Sequence, residues 1–362
     1  MPSPQLAARR RYLFFSHDGF GLGHFRRNCL IAGALLRRSP EASVVLVTGL
    51  PVPPGWVDSS RVGIVRVPPL LKDSKGGYQA IGSAFEEAIA GREVVFAALA
   101  AAYRPHVVVV DRHPYGTAGE LRPGLLTTRD LGARMVLGLR DVLDEPGVVA
   151  CELAGQGWEG ATELYDEALV YGAPHICDHQ AEYGLPLRPW YCGWVVDRPP
   201  PTPRRRHLLA VAAGGGGDGE AVFRLGIEVV ERRRRWRGHM AAGPFADAGA
   251  LRQLVRRSRA RRRLRVDTRV EDCGRLFARS AAVVQMAGYN STAEALAAGQ
   301  RPILVPRRSP RLEQAIRAER LAALDLCDVV PEHAHPTTVA ELLDGAERAA
   351  GRLEELAVGA LL

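Results

Sequence analysis

The sequence predicts an α/β fold class, two Rossmann-like doubly wound domains facing a cleft, on three observations. Strand-like and helix-like segments alternate through both halves of the 362 residues, the pattern of parallel sheets covered by helices. A glycine-rich loop follows the first strand of each half, at residues 19–23 and 214–219. Between the halves, Pro199-Pro200-Pro201-Thr202-Pro203 cannot join a sheet and favours extended polyproline II, a semi-rigid linker. The expected domains are therefore 1–198 and 207–362, joined by a Pro/Arg linker at 199–206.

The elements follow in order. Residues 12–16 form a short apolar run. Residues 25–38 place Leu30, Ile31, Ala34 and Leu35 at helical spacing. Ser43–Thr48 and residues 63–67 are apolar and β-branched. A long helical stretch over 80–103 leads into Val107–Asp111, and residues 134–139 and Glu167–Tyr171 are further strands. Runs apolar on both faces suit parallel strands covered on both sides. The second half repeats the plan. Strands are expected at 208–213, Arg237–Ala241, Leu264–Asp267, 281–286 and 302–305, and helices at 220–235, 311–324 and 337–350. In such sheets ligands sit beyond the carboxyl ends of the strands, so two facing domains put a site in the cleft between them.

Composition narrows the class. Hydrophobic residues make up 47% and charged residues 24%, the ordinary globular balance. A disordered chain, a collagen-like fibre and a disulfide-stapled mini-protein are excluded. No apolar run approaches the ~18–20 residues of a membrane span; the longest, around 94–102, is Ala-rich and closes at Tyr103-Arg104-Pro105. Arg9-Arg10-Arg11 precedes only four apolar residues before Ser16, which is no secretory leader. A soluble cytoplasmic protein is expected. Six cysteines without a C-x-x-C read as reduced thiols and give no zinc framework. His175, Cys177 and His179 cluster, but no second ligand group accompanies them, so no metal and no resident cofactor are expected.

Charge is uneven. Of the net +8, residues 1–203 carry 20 basic against 21 acidic side chains and residues 204–362 carry 28 against 19. The basic runs are residues 232–235 and seven arginines within 256–265. Without stacking aromatics in the second run or a recognisable nucleic-acid-binding signature, no nucleic-acid partner is expected. A solvated helix face is the favoured reading; a peripheral membrane contact stays open. The positive field would also help hold an anionic small molecule.

Four motifs carry chemistry. The first is Gly19-Phe20-Gly21-Leu22-Gly23-His24 after strand one. Its G-x-G-x-G spacing departs from the dinucleotide fingerprint, and no acid stands at the end of strand two, which disfavours a nicotinamide enzyme. His24 at the helix start is a candidate base, since the helix N-terminus keeps it neutral; a capping or packing histidine is the competing reading. The second is Gly214-Gly215-Gly216-Gly217 between strand and helix, suited to phosphate approach and without the G-K-[ST] of a P-loop. The third is Gly288-Tyr289-Asn290-Ser291-Thr292-Ala293-Glu294, where Asn290 or Ser291 could cap a helix or bond a phosphate. There Glu294 could accept two ribose hydroxyls or close a capping box with Ser291. The fourth follows Pro306: Arg307, Arg308 and Arg311 supply charge, and Glu313 and Gln314 could hold sugar hydroxyls.

Together these pieces resemble the MurG-like family of GT-B glycosyltransferases, and more closely a little-characterised bacterial branch of it. The residues that carry the likeness are Gly21-Leu22-Gly23-His24, residues 214–217, Ala287-Gly288-Tyr289-Asn290-Ser291-Thr292-Ala293-Glu294, and Pro306 followed by Glu313-Gln314. Glu313 replaces the first glutamine of the family pair, and Met286-Ala287 replaces an Arg-Ser. The resemblance implies an N-terminal acceptor domain and a C-terminal domain binding a nucleotide-diphosphate sugar, UDP-linked. Gly214, Gly215, Gly216, Asn290 and Ser291 would face the diphosphate. The backbone of Val270 would contact the base and Glu294 the ribose. Glu313, Gln314 and Arg311 would hold the sugar, and Gly21 and Gly23 would shape the N-domain loop. An acceptor hydroxyl, on a glycan precursor, lipid-linked sugar or natural product, would attack with inversion and without metal. His24 is the first candidate for the base, Asp111 the second and Asp18 the third. A nucleotide-sugar 2-epimerase and a non-catalytic nucleotide-sugar-binding subunit are the alternatives.

Overall fold

The computed structural model describes residues 10–17, 23–51, 55–58, 60–72, 77–214, 219–243, 246–268, 270, 272–329 and 345–359. Asp18, Gly21, Gly215 and Gly216 lie outside them.

In the first half β1 (Arg11–Phe15), β2 (Ser43–Thr48) and β3 (Val62–Arg66) are followed by a hairpin of β4 (Leu70–Lys72) and β5 (Tyr78–Ala80). Then come β6 (Val107–Asp111), β7 (Arg134–Arg140), β8 (Glu167–Tyr171) and β9 (Pro189–Tyr191). Seven of these form one parallel sheet in the order 3-2-1-6-7-8-9. β6 and β8 are buried at every position, as strands covered on both faces must be. The helices are α1 (Gly23–Arg38), α2 (Phe85–Tyr103), α3 (Arg122–Asp130), α4 (Pro146–Leu153), α5 (Ala161–Leu164) and α6 (His179–Tyr183).

The second half contains β10 (Arg205–Ala212), α7 (Glu220–Arg232), β11 (Arg237–Ala241), α8 (Ala248–Arg257), β12 (Leu264–Asp267) and α9 (Cys273–Ala278). After these come β13 (Ser280–Gln285), α10 (Tyr289–Ala297), β14 (Ile303–Leu304), α11 (Glu313–Ala323) and α12 (Gly345–Gly359). Its five strands are parallel in the order 12-11-10-13-14. Alternation along β10 builds a core on each face: Leu209 and Val211 pack with α7 and α8, while Ala210 and Ala212 pack with α9 and α10.

The structure departs from expectation in three places. The helix expected from residue 80 begins at Phe85, because Tyr78–Ala80 pairs with Leu70–Lys72. Pro189 opens an unanticipated strand at the sheet edge, the place that tolerates a missing N–H. Residues 337–344 of the last expected helix lie outside the described residues; the described helix runs Gly345–Gly359, beyond the expected end at 350, and packs on the first sheet's layer: Arg38 Nε reaches Glu354 at 2.6 Å and Arg352 Nε reaches Glu167 at 3.0 Å, over buried Leu353 and Ala357.

The lobes are bonded across the gap. Arg317 grips Asp141 through Nη2 (2.6 Å) and Nε (2.8 Å). The Leu312 amide donates to Asp144 (2.8 Å), and the Val195 amide donates to Tyr289 Oη (3.0 Å). Strand order reverses between β1 and β6 in one sheet and between β10 and β13 in the other, and such reversals open crevices at the strands' carboxyl ends.

Candidate functional site

The first sheet's reversal assembles a histidine–carboxylate pair. His24 stands in the first turn of α1, after β1, and Asp111 ends β6; His24 Nδ1 lies 2.9 Å from Asp111 Oδ2. Arg27, one turn along α1, donates to the same oxygen at 3.0 Å and stands 2.9 Å from the imidazole. Arg27 is buried between the rings of Tyr171 and Tyr289, about 5 Å from each. In the neutral tautomer with Nδ1–H donating to Asp111, the Arg27 Nη2–Nδ1 approach joins two donors and is not a hydrogen bond, and the lone pair sits on Nε2. Burial pushes His24 down to about 4, and Arg27 pushes the same way against the pull of Asp111. Burial pushes the Asp111 carboxyl up, but Arg27 and His24 outweigh it and hold the group below its usual range. His24 and Asp111, competing candidates in the sequence, thus form one unit with the chemistry of an oriented general base. Arg27 was missed, although three residues after a helical histidine is the spacing that shares a face.

The same wall carries further polar groups. His17 is buried with Nε2 2.6 Å from Tyr78 Oη, and its Nδ1 has no partner among the described residues. His113 packs on it at 4.6 Å between ring centroids. Arg112 makes a two-pronged bond to Glu152 (2.9 and 3.0 Å).

The second sheet's reversal faces this wall. Gly214 takes φ 67°, a left-handed conformation that turns the chain sharply out of β10. Gly288 is the N-cap of α10 without a side-chain cap, so the capping box that Ser291 and Glu294 could have closed does not form. Ser291 instead donates to the Gly288 carbonyl (3.2 Å), and Asn290 Nδ2 donates to the carbonyl of Gly23 (3.2 Å). The first turn of α10, whose first amides lack helical partners, therefore abuts the start of α1.

Glu294, one turn further, lines a cleft of about 230 Å³ with Arg26, Asp197, Arg198, Asp272 and Arg275. Burial raises its carboxyl to about 7, with Asp272 and Asp197 adding to the rise and Arg26 opposing it. Val270 lies just before α9, packed against the cluster of Leu276 and Phe277. Glu313 is buried and accepts from Arg307 (2.7 Å), and its Oε2 has no partner among the described residues. Gln314 Oε1 lies 3.5 Å from the Arg307 amide. Arg311 reaches across to Asp144 and Glu152, 3.6 Å from each.

The basic runs sit elsewhere. Residues 232–235 precede β11, and the run over 256–265 leads into the start of β12, so both lie at the amino-terminal edge of the second sheet. Arg263 ties them together by donating to the carbonyls of Val230, Arg233 and Trp236 (2.7–2.9 Å). The field expected to help hold an anion therefore lies at the pole opposite the cleft. Among the described residues no group of three or more His, Cys, Asp or Glu side chains could hold a metal ion, and no helix is long and apolar enough to cross a membrane.

Solved structures share this architecture. The glycosyltransferase of kitacinnamycin matches at 14% identity over 98% of this chain and 94% of its own, with a TM-score of 0.59. This is the GT-B fold. SnogD, a glycosyltransferase from Streptomyces nogalater, matches at 18% identity over 97% and 95%, with a TM-score of 0.56. MurG from Acinetobacter baumannii matches at 13% identity over 97% and 94%, with a TM-score of 0.52. No protein-family model and no curated protein matches the chain. At these identities the likeness establishes the GT-B fold; the chemistry is argued from the residues.

Proposed function

We propose that this chain is an inverting, metal-independent glycosyltransferase that moves a sugar from a UDP-sugar to an acceptor hydroxyl. The observation that carries the reading is the His24–Asp111 pair on one wall of the cleft, opposite the uncapped start of α10 on the other. In the reaction, Nε2 of His24 takes the acceptor proton as the acceptor oxygen attacks the anomeric carbon. Asp111 stabilises the imidazolium that forms. The sugar–oxygen bond to the diphosphate breaks, and the leaving charge meets the amides of α10 and of the turn at Gly214. Electrostatic terms of this kind are the largest in such steps. Glu294 accepts from the ribose, and Glu313 and Gln314 accept and donate to the sugar. One displacement inverts the anomeric centre.

The test uses His24→Ala with a panel of UDP-sugars and hydroxyl acceptors. UDP release falls about 10²–10⁴-fold, the usual contribution of a general base, while UDP affinity measured by calorimetry changes less than twofold. Release at the wild-type rate would remove His24 from the mechanism. Epimerised donor in the absence of acceptor would identify a nucleotide-sugar epimerase instead. Donor binding without turnover across the panel would identify a binding subunit.

A further inference from the structure

The chain leaves β6 in a strained turn, directly beside the histidine–carboxylate pair. Asp111 ends the strand, and the next two residues, Arg112 and His113, take φ of 44° and 58°. Residues with a Cβ rarely adopt this left-handed conformation, and two in succession persist only where the surroundings hold them. Backbone bonds hold each end: the Arg112 amide donates to the Gly138 carbonyl (2.9 Å), and the Gly116 amide donates to the His113 carbonyl (3.0 Å). The side chains converge on one carboxylate. Glu152, near the end of α4, accepts from Arg112 Nη2 on both oxygens (2.9 and 3.0 Å), and His113 Nδ1 lies 3.7 Å away. Arg112 is buried, so removing this carboxylate would strand its charge. Burial pushes the Glu152 carboxyl up, but Arg112 and His113 outweigh it and hold the group below its usual range. Arg311 Nη1 approaches the same carboxylate from the second lobe, at 3.6 Å.

Asp111 depends on its backbone for its aim. Its Oδ2 faces both His24 and Arg27, while Oδ1 is buried with no partner among the described residues. A carboxylate engaged through one oxygen is free to swing about that contact, so its place against the imidazole is set by the strand end and the turn that follows. We propose that Glu152 is a positioning residue: by holding Arg112 it keeps the left-handed turn that sets Asp111 against His24. That the pair serves as a general base rests on the transfer reaction proposed above; the hold on the pair does not.

Proton magnetic resonance reads the pair directly. An imidazole N–H bonded to a carboxylate resonates downfield of the amides, and the signal of His24 is assigned by its loss in His24→Ala. Glu152→Gln keeps the side chain's shape and removes its charge, and the His24 signal moves upfield or vanishes. Glu152→Gln combined with Arg112→Asn regains it, because asparagine takes the left-handed conformation readily and leaves no stranded charge. UDP affinity, measured by calorimetry, stays within twofold in both variants. With a donor that the wild type turns over, kcat of Glu152→Gln falls about ten- to a hundredfold at unchanged donor KM, the scale of a small misplacement of a reacting group, and recovers in the double variant. A His24 signal in Glu152→Gln equal to that of the wild type, or absent from the wild type, overturns the proposal. Failure of the double variant to regain the signal overturns it too, since Glu152 would then act other than through the turn. Changes spread over the whole amide spectrum of Glu152→Gln, with UDP binding lost, would make the carboxylate a general support of the fold and also overturn it. If the wild type turns over no donor, the transferase reading fails and the His24 signal alone decides the role of Glu152.

Discussion

Replacing Glu294 with glutamine should stabilise the protein increasingly as pH rises from 4.5 to 7, and by a constant amount above that. The carboxyl ionises near 4.5 when unfolded and at about 7 in the cleft, where burial, Asp272 and Asp197 disfavour its charge. The folded state therefore holds the proton more tightly. Below pH 4.5 both states are protonated and the group is neutral to stability. Between pH 4.5 and 7 the unfolded state ionises while the folded state keeps its proton, so stability is lost across that window and stays at the lower level above it. The difference in titration corresponds to at most about 3 kcal/mol. Glu294 keeps part of its surface in water, so screening reduces this to roughly 1–3 kcal/mol. Urea denaturation of Glu294→Gln and wild type should give the same midpoint near pH 4.5 and a higher midpoint for the variant near pH 8, with unchanged slope. The variant should also bind UDP more weakly near pH 8, having lost a charged acceptor for the ribose. A midpoint equal to or below that of the wild type near pH 8 would refute the desolvation argument.

Two further outcomes test the scaffold. Arg317→Met leaves Asp141 buried and uncompensated between the lobes and should cost about 3–5 kcal/mol, read by equilibrium denaturation; a loss under 1 kcal/mol would mean that water replaces the pair. Gly226→Ala puts a methyl 2.5 Å from Val211 Cγ2, where α7 presses on β10, and should lower stability by roughly 1–3 kcal/mol despite the better helix propensity of alanine. An unchanged thermal midpoint would show that α7 can move off the sheet.

Much of the fold was legible because burial on both faces writes itself as unbroken apolar runs: Val107–Asp111 could be little else than a central parallel strand. The hairpin was not, because three-residue strands such as Tyr78–Ala80 are too short to show alternation beside a helix. The glycine turns marked both strand-order reversals. What no local pattern could show is that His24 and Asp111, 87 positions apart, share a hydrogen bond; that follows from β1 and β6 being neighbours in the sheet. The basic runs, by contrast, stood immediately before β11 and β12, so their place at the sheet's far edge follows from strand direction alone.

The docking of α12 on α1 means that the polypeptide passes between the lobes twice, once outward near the proline linker and once on its return. Two such tethers act like a pair of pins in a hinge plate: they leave one swing axis and resist sliding or twisting. Any movement of the start of α10 away from Gly23 would therefore be confined to that axis. Cutting the chain before Gly345 would remove one pin, bare the apolar underside at Leu353 and Ala357, and turn a guided stroke into a loose one.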